Sequence, residues 1–267
     1  MRVDGLGVLA FGPGAQDVAD GDGRFDDLPV VVVHGTMDRA GGFRRLQRRL
    51  EGRQVVLYDR RGYATSRDAG ISGSVGSQVA DLRAVVDATC AGPAVILGHS
   101  LGGLLALHLA IDVPDMVAAL AIWESPMAWE PWYGNSAGAT ARAAAYAEGP
   151  EVAAEAFMRH IIGPNLWERL PAAMQAERRA EGHALVADLA LIRTPDARYD
   201  PTAIGVPLES GCGTQSAPRF IRSARELAEM VPGAELVEVE GAAHGVHLSH
   251  PQALADLVER AGARVVR

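Results

Sequence analysis

Short β-branched and aliphatic runs recur along this chain, separated by stretches with helical spacing. This alternation constrains the fold more than any other feature. The runs lie at Pro29-Val30-Val31-Val32-Val33, Gln54-Val55-Val56-Leu57-Tyr58 and Ala94-Val95-Ile96-Leu97, then at residues 117–123, 204–211 and 235–239. The first three are short, uniformly apolar runs that read as strands buried on both sides, and the later three read as further strands. Between them, apolar residues at 75, 79, 82, 85 and 86 fall on one helix face, and helices are also expected near 42–50, 101–111, 217–230 and 252–261. Strands separated by helices cannot pair as hairpins. They pair in parallel, with helices packed on both faces of the sheet. The expected class is α/β, a mostly parallel, doubly wound sheet.

The rhythm changes after Pro126. Residues 127–197 are rich in Ala, Glu and Arg, carry no convincing strand, and are interrupted at Pro150, Pro164, Pro171 and Pro195. This predicts a helical insertion between two halves of one sheet: a core over residues 1–126, a helical cap over 127–200, and the rest of the core over 201–267. Residues 12–28, rich in Gly and Asp, read as loop.

Gly98-His99-Ser100-Leu101-Gly102-Gly103 stands directly between a buried strand and a helix. A G-x-S-x-G string alone arises easily by chance, so the context carries the argument. A tight strand-to-helix turn holds its central hydroxyl clear of the sheet at a helix N-terminus, where backbone N–H groups favour negative charge. The plainer alternative is a serine N-cap with glycines for packing. A phosphate loop fits poorly, because neither of the usual glycine patterns for one is present.

With these residues in view, the chain resembles the α/β-hydrolase family over nearly its whole length. The resemblance also rests on His34-Gly35 after an early strand, Asp59-Arg60-Arg61-Gly62 after the next, and Gly241-Ala242-Ala243-His244 near the end. It implies Ser100 as nucleophile. His244 is implied as general base, because it alone of His244, His247 and His250 sits in the Gly-x-x-His turn after the last strand. His247 and His250 read as packing or capping residues, and His108, His160 and His183 receive no role. The oxyanion hole is expected from the backbone N–H of Leu101 and of Thr36, with Met37 as the alternative. His34 is expected to brace its loop.

The acid departs from the common family pattern. Much of the family places an Asp in a Gly-x-x-Asp turn after the strand that here spans 204–211, whereas this chain has Gly213-Thr214-Gln215-Ser216. Some relatives, haloalkane dehalogenases among them, carry the acid one strand earlier. Trp123-Glu124-Ser125-Pro126 is similar to that arrangement, which makes Glu124 the expected triad acid, with Asp200 and Glu209 as fallbacks. A structural glutamate at the domain hinge is the competing reading.

The expected reaction is two-step acyl transfer to water on a carboxylic ester or lactone, needing neither metal nor organic cofactor. Thioesterase, C–C hydrolase and cofactor-free haloperoxidase chemistry share the fold. A small-molecule-binding module without turnover is the rival from outside enzymology, favoured by the missing Asp. Trp129, Trp132 and Met37 are candidate substrate contacts, although large aromatics more often hold such a cap to its core. No charge cluster along the cap sequence points to a charged ligand, so the expected substrate is a small, uncharged, partly apolar molecule.

Composition narrows the remaining classes. A net charge of −8 argues against general affinity for nucleic acid or anionic membrane. The arginines at 44, 45, 48 and 49 read as the wet face of a helix that buries Phe43, Leu46 and Leu50. Two cysteines, Cys90 and Cys212, make no disulfide framework and read as small hydrophobes. Without a signal-like or membrane-length apolar run, the default compartment is the cytoplasm, and a homo-oligomer is compatible with the chain.

Overall fold

The computed structural model describes residues 1–12, 28–134 and 137–265; most of the expected loop at 12–28 lies outside them. Eight strands form one sheet in the order β1-β2-β4-β3-β5-β6-β7-β8. The strands are β1 (Arg2–Val3), β2 (Leu6–Phe11), β3 (Val30–Val33), β4 (Val55–Tyr58), β5 (Ala94–His99), β6 (Val117–Trp123), β7 (Leu208–Gly213) and β8 (Glu235–Val239). β3 to β8 run parallel.

The double winding follows from side-chain alternation. Val31, Val33, Val56 and Ile96 face one apolar core. Val30, Val32, Val55, Leu57, Val95 and Leu97 face the other. Both sets are essentially inaccessible to water. Fully burying each such aliphatic side chain favours folding by about 1.5–3 kcal/mol, so a run of four valines fixes a central strand that polar edges could not.

The helices are α1 (Arg44–Gln47), α2 (Val75–Thr89), α3 (Leu101–Asp112), α4 (Ala137–Glu148), α5 (Pro150–Ile162), α6 (Pro164–Arg169), α7 (Ala172–Ala180), α8 (Gly182–Leu191), α9 (Pro218–Met230), α10 (Val246–Ser249) and α11 (Pro251–Ala263). The arginines at 44, 45, 48 and 49 are exposed while Phe43, Leu46 and Leu50 are buried, as the spacing requires. The helix expected over 42–50 is shorter and tighter, with a 3₁₀ turn at Ala40–Phe43 leading into one α turn. Glycines at 41 and 42 disfavour a longer α start.

Two features escape the periodicity. β1 and β2 form an antiparallel hairpin whose second strand pairs with β4. Their runs are short, glycine-containing and half exposed, so they lack the uniform burial that marks the central strands. β7 begins at Leu208, not near 204: residues 204–207 are irregular, and Pro207 has no N–H to give to a ladder.

All helices from α4 to α8 lie between β6 and β7. The prolines that interrupt this stretch act as helix starts: Pro150 and Pro164 occupy first turns, where a missing N–H costs nothing. The block has a core of its own, including Ala153, Ala154, Met158, Trp167, Leu185 and Leu189. Met37 and Tyr63, from loops of the sheet, complete that core. Gly182 is required where α8 meets α5, since a Cβ there would lie 2.0 Å from the Pro150 carbonyl oxygen.

Candidate active site

Three chain segments meet at the carboxyl edge of β5, β6 and β7. Ser100 follows β5 directly and has φ 54° and ψ −125°, a conformation L-residues rarely adopt. The turn leaves no room on either side. A Cβ on Gly98 would fall 2.5 Å from Gly103 Cα, and one on Gly102 would fall 2.0 Å from the Val33 carbonyl oxygen. The Ser100 N–H donates to the Trp123 carbonyl at 2.8 Å, which ties the turn to the end of β6.

Glu124 directly follows β6. It is also in the left-handed region, with φ 51°, and its side chain is fully buried. Its backbone N–H donates to the Gly211 carbonyl at 3.1 Å. Its Oε2 lies 2.6 Å from His244 Nδ1. Its Oε1 accepts from the Gly213 N–H at 2.9 Å and from the Ser216 hydroxyl. A buried carboxylate left without donors would be costly; here every described neighbour of its oxygens is a donor. Ser216 occupies the fourth position of the Gly-x-x-Asp turn. The residue that stands where the family's usual acid would be therefore hydrogen-bonds the Glu124 carboxylate.

His244 is braced from two further directions. Its ring stacks on Phe220, with centroids 4.0 Å apart and planes 10° from parallel. Its carbonyl accepts from His99 Nε2 at 2.8 Å. That bond leaves His99 Nδ1 as the lone-pair nitrogen, buried and without a hydrogen-bond partner. It faces Asp38 Oδ2 at 3.9 Å, and His247 Nε2 lies 3.3 Å from the same oxygen. Burial, together with the neighbouring His244 and His247, holds His99 well below the usual imidazole range, so it stays neutral behind the turn. His247 stacks on Phe43 at 4.6 Å, the packing role expected of it.

The loop after β3 is held by a buried polar network. His34 Nδ1 bonds the Gly35 carbonyl at 2.7 Å, and His34 Nε2 accepts the Arg60 N–H at 2.8 Å. Burial and the Arg60 charge push His34 down to about 4. Arg60 also donates to the His34 and Gly35 carbonyls. Its guanidinium pairs with Asp188 of α8 at 2.7 Å, both side chains being only 2% exposed. Asp188 collects further hydrogen bonds from Thr36 Oγ1, Tyr63 and Gln78. Thus one carboxylate from the helical block anchors the loop that carries Thr36. Among the described residues, neither the Thr36 N–H nor the Leu101 N–H has an acceptor. The Met37 amide interacts with the Tyr63 hydroxyl instead.

Burial pushes the Asp188 carboxyl up, but the Arg60 charge and the hydrogen bonds from Arg60, Tyr63 and Gln78 outweigh it and hold it below the usual range. We expect Asp188→Asn to strand a buried guanidinium and cost about 3–5 kcal/mol. Because the native carboxyl is depressed, its contribution is complete above the unfolded carboxylate pKa and is lost as pH falls through the folded value. The gap between wild type and Asp188→Asn in urea titrations is therefore widest at neutral pH and closes in acid. A gap that widens in acid would contradict the network.

The other sequence candidates fall elsewhere. Asp200 is exposed and caps Thr202. Glu209 is buried but paired with Arg260 and Arg264. Trp129 sets its ring edge-on to Tyr199, and Trp132 lies beneath Arg222, both packed against the main core. Met37 is buried in the core of the helical block. Phe220 stacks on His244, and the Tyr133 ring lies 6.3 Å from that of Phe220. Tyr133 lies in the same aromatic segment as Trp129 and Trp132, whereas Phe220 carries no local motif.

The alpha/beta hydrolase family model matches residues 30–257. A pimeloyl-[acyl-carrier protein] methyl ester esterase of Chromobacterium violaceum is 33% identical over 84% of this chain and 89% of its own length. The sn-1-specific diacylglycerol lipase ABHD11 of Mus musculus is 28% identical over 92% of this chain and 84% of its own. A crystal structure of an alpha/beta hydrolase from Sphaerobacter thermophilus superposes with a TM-score of 0.70 at 27% identity, covering 95% of both chains. No helix among the described residues is long and apolar enough to cross a membrane.

Proposed function

The chain belongs to the alpha/beta hydrolase family, and from that premise we propose that it is a serine hydrolase that cleaves a carboxylic ester or lactone through an acyl-enzyme intermediate. The observation that carries this reading is the 2.6 Å contact between His244 Nδ1 and the buried Glu124, at the sheet edge that also bears Ser100. The feature that favoured a binding module was a missing acid; the Glu124 carboxylate beside His244 supports the enzyme reading instead. Relatives named as ester-cleaving enzymes support the same class.

In this reading Glu124 fixes the imidazole with its Nδ1 protonated, leaving Nε2 free to accept the Ser100 proton. Ser100 Oγ attacks the carbonyl carbon, and the carbonyl electrons move to oxygen, where the Leu101 and Thr36 N–H groups receive them. The tetrahedral species collapses as His244 protonates the leaving alkoxide. Water, deprotonated by His244, then attacks the acyl-enzyme, and Ser100 recovers its proton as the acid departs. Helices α4 to α8 act as a cap over this edge, excluding water and shaping the acyl site. Trp129 and Trp132 hold the start of the cap to the core, whereas Tyr133 and Phe220 line the approach to His244.

A hydrolysis screen over p-nitrophenyl esters of graded chain length and lactones of graded ring size tests the reading. We expect turnover with saturation kinetics on at least one of these series. Folded protein that hydrolyses none of them and is not labelled by a fluorophosphonate would defeat it.

A further inference from the structure

Behind the Ser100 turn, side chains from three separate segments converge. Asp38 belongs to the loop after β3, His99 ends β5, and His247 lies on α10. One carboxylate oxygen and one ring nitrogen from each histidine lie within 4.8 Å of one another. All three side chains are largely withdrawn from water: His99 is 5% exposed, His247 7% and Asp38 15%.

His99 sets the logic of the cluster. Its Nε2 meets the His244 carbonyl at 2.8 Å, and a carbonyl only accepts, so Nε2 carries a proton. Nδ1 is buried and has no hydrogen-bond partner among the described residues. Asp38 Oδ2 lies 3.9 Å from it, too far for a hydrogen bond and itself an acceptor. Two lone-pair atoms thus share a buried space, which is costly until something positive joins them.

Asp38 shows the same want of a cation. Its Oδ1 accepts the Arg39 N–H at 2.8 Å, but the Arg39 guanidinium turns to Glu177 and Glu181. Among the described residues no arginine pairs with Asp38. Only the two imidazoles come within ion-pair reach of Oδ2, with His247 Nε2 at 3.3 Å. Gly42 keeps the space clear, since a Cβ there would fall 2.8 Å from Asp38 Oδ1 and 3.5 Å from His247 Cδ2.

One carboxylate oxygen and two imidazole nitrogens are a donor set that zinc and its neighbours favour. Zinc bonds of about 2.0–2.1 Å at tetrahedral angles set donor atoms about 3.3 Å apart. The pair formed by Asp38 and His247 already has that spacing, and His99 has only a fraction of an ångström to close. His247 Nδ1 has no partner among the described residues, so placing the ring proton there, to free Nε2 for an ion, breaks no bond at Nδ1.

We propose that Asp38 Oδ2, His99 Nδ1 and His247 Nε2 bind a divalent transition-metal ion of the zinc type, with the fourth position left to solvent on the Asp38 side. The ion takes no part in acyl transfer. It staples the loop after β3, the end of β5 and α10, and by polarising His99 it makes Nε2 a firmer donor to the His244 carbonyl. The sequence gives no warning of it, because residues 38, 99 and 247 share no local ligand spacing.

The test reads binding rather than turnover, so it stands apart from the hydrolase reading. The chelator-stripped full chain is titrated with Zn²⁺ in competition with a chromophoric chelator. We expect one Zn²⁺ per chain, with affinity at least about tenfold weaker in Asp38→Asn and in His247→Gln. We also expect Zn²⁺ to raise the melting temperature of wild type, and both variants to lose that rise. Affinity unchanged in either variant means adventitious binding elsewhere and overturns the site, as does an absence of Zn²⁺ binding by wild type. A second readout needs no variant to fold. In long-range proton–nitrogen NMR spectra of the wild-type imidazoles, Zn²⁺ should move the ring-nitrogen signals of His99 and His247 and leave those of His108, His160 and His183 in place. Signals of His99 and His247 that stay where they were overturn the proposal.

Discussion

Ser100→Ala is expected to remove fluorophosphonate labelling completely and to lower ester turnover by about 10⁶-fold, the scale at which loss of a serine nucleophile is felt in hydrolases of this mechanism. The substitution removes one oxygen, and alanine tolerates the turn no worse than serine does, so the fold should persist with an unchanged melting temperature. His244→Ala should cost a similar factor, and the double variant little more than either single one, because the two side chains act as a unit. Additive losses would mean that Ser100 and His244 do not serve the same step. Residual turnover in Ser100→Ala comparable with wild type would remove Ser100 from the chemistry altogether.

Glu124→Gln carries the second large effect, a loss of about 10⁴-fold in kcat. The amide keeps the volume of the side chain but reverses the logic at His244. A carboxylate accepts the Nδ1 proton, whereas an amide turned to offer its NH2 stabilises the tautomer whose Nε2 already carries a proton. The burial of Glu124 raises the stakes, since bulk solvent does not reach its side chain. A relocation experiment makes the assignment sharper. Glu124→Ala combined with Ser216→Asp puts the carboxylate back in the Gly-x-x-Asp turn, because the Ser216 hydroxyl already contacts the Glu124 carboxylate. We expect the pair to recover part of the activity lost in Glu124→Ala alone. Near-normal turnover in Glu124→Gln would dismiss Glu124 as the acid.

The central sheet was legible because its strands are buried on both faces and must be uniformly apolar. The boundaries of β6 agree with the apolar run for that reason, and those of the helix at Val75–Thr89 because its apolar residues recur on one face. The hairpin of β1 and β2 was not legible, since its pairing with Val55–Tyr58 is long-range and its own residues alternate weakly. In the site, the Ser100 turn and the His244 turn each carry a local signature, because close backbone packing demands glycine at fixed offsets. Glu124 was reachable only through the absence of an acid elsewhere. The compensating donor, Ser216, looked like a simple loss. Phe220 reaches His244, and Tyr133 reaches Phe220, through contacts between distant segments. Nothing in their local spacing could distinguish them from ordinary surface and packing residues.

Placing the carboxylate at the end of β6 has a consequence for how such a protein can diversify. The connection between β7 and α9 needs to supply only a backbone N–H and a small hydroxyl to Glu124, so it is released from carrying a charge in an exact position. That same connection leads straight into Phe220. Recognition can therefore be retuned there, by sequence drift in a short stretch, without disturbing the proton-transfer apparatus next door.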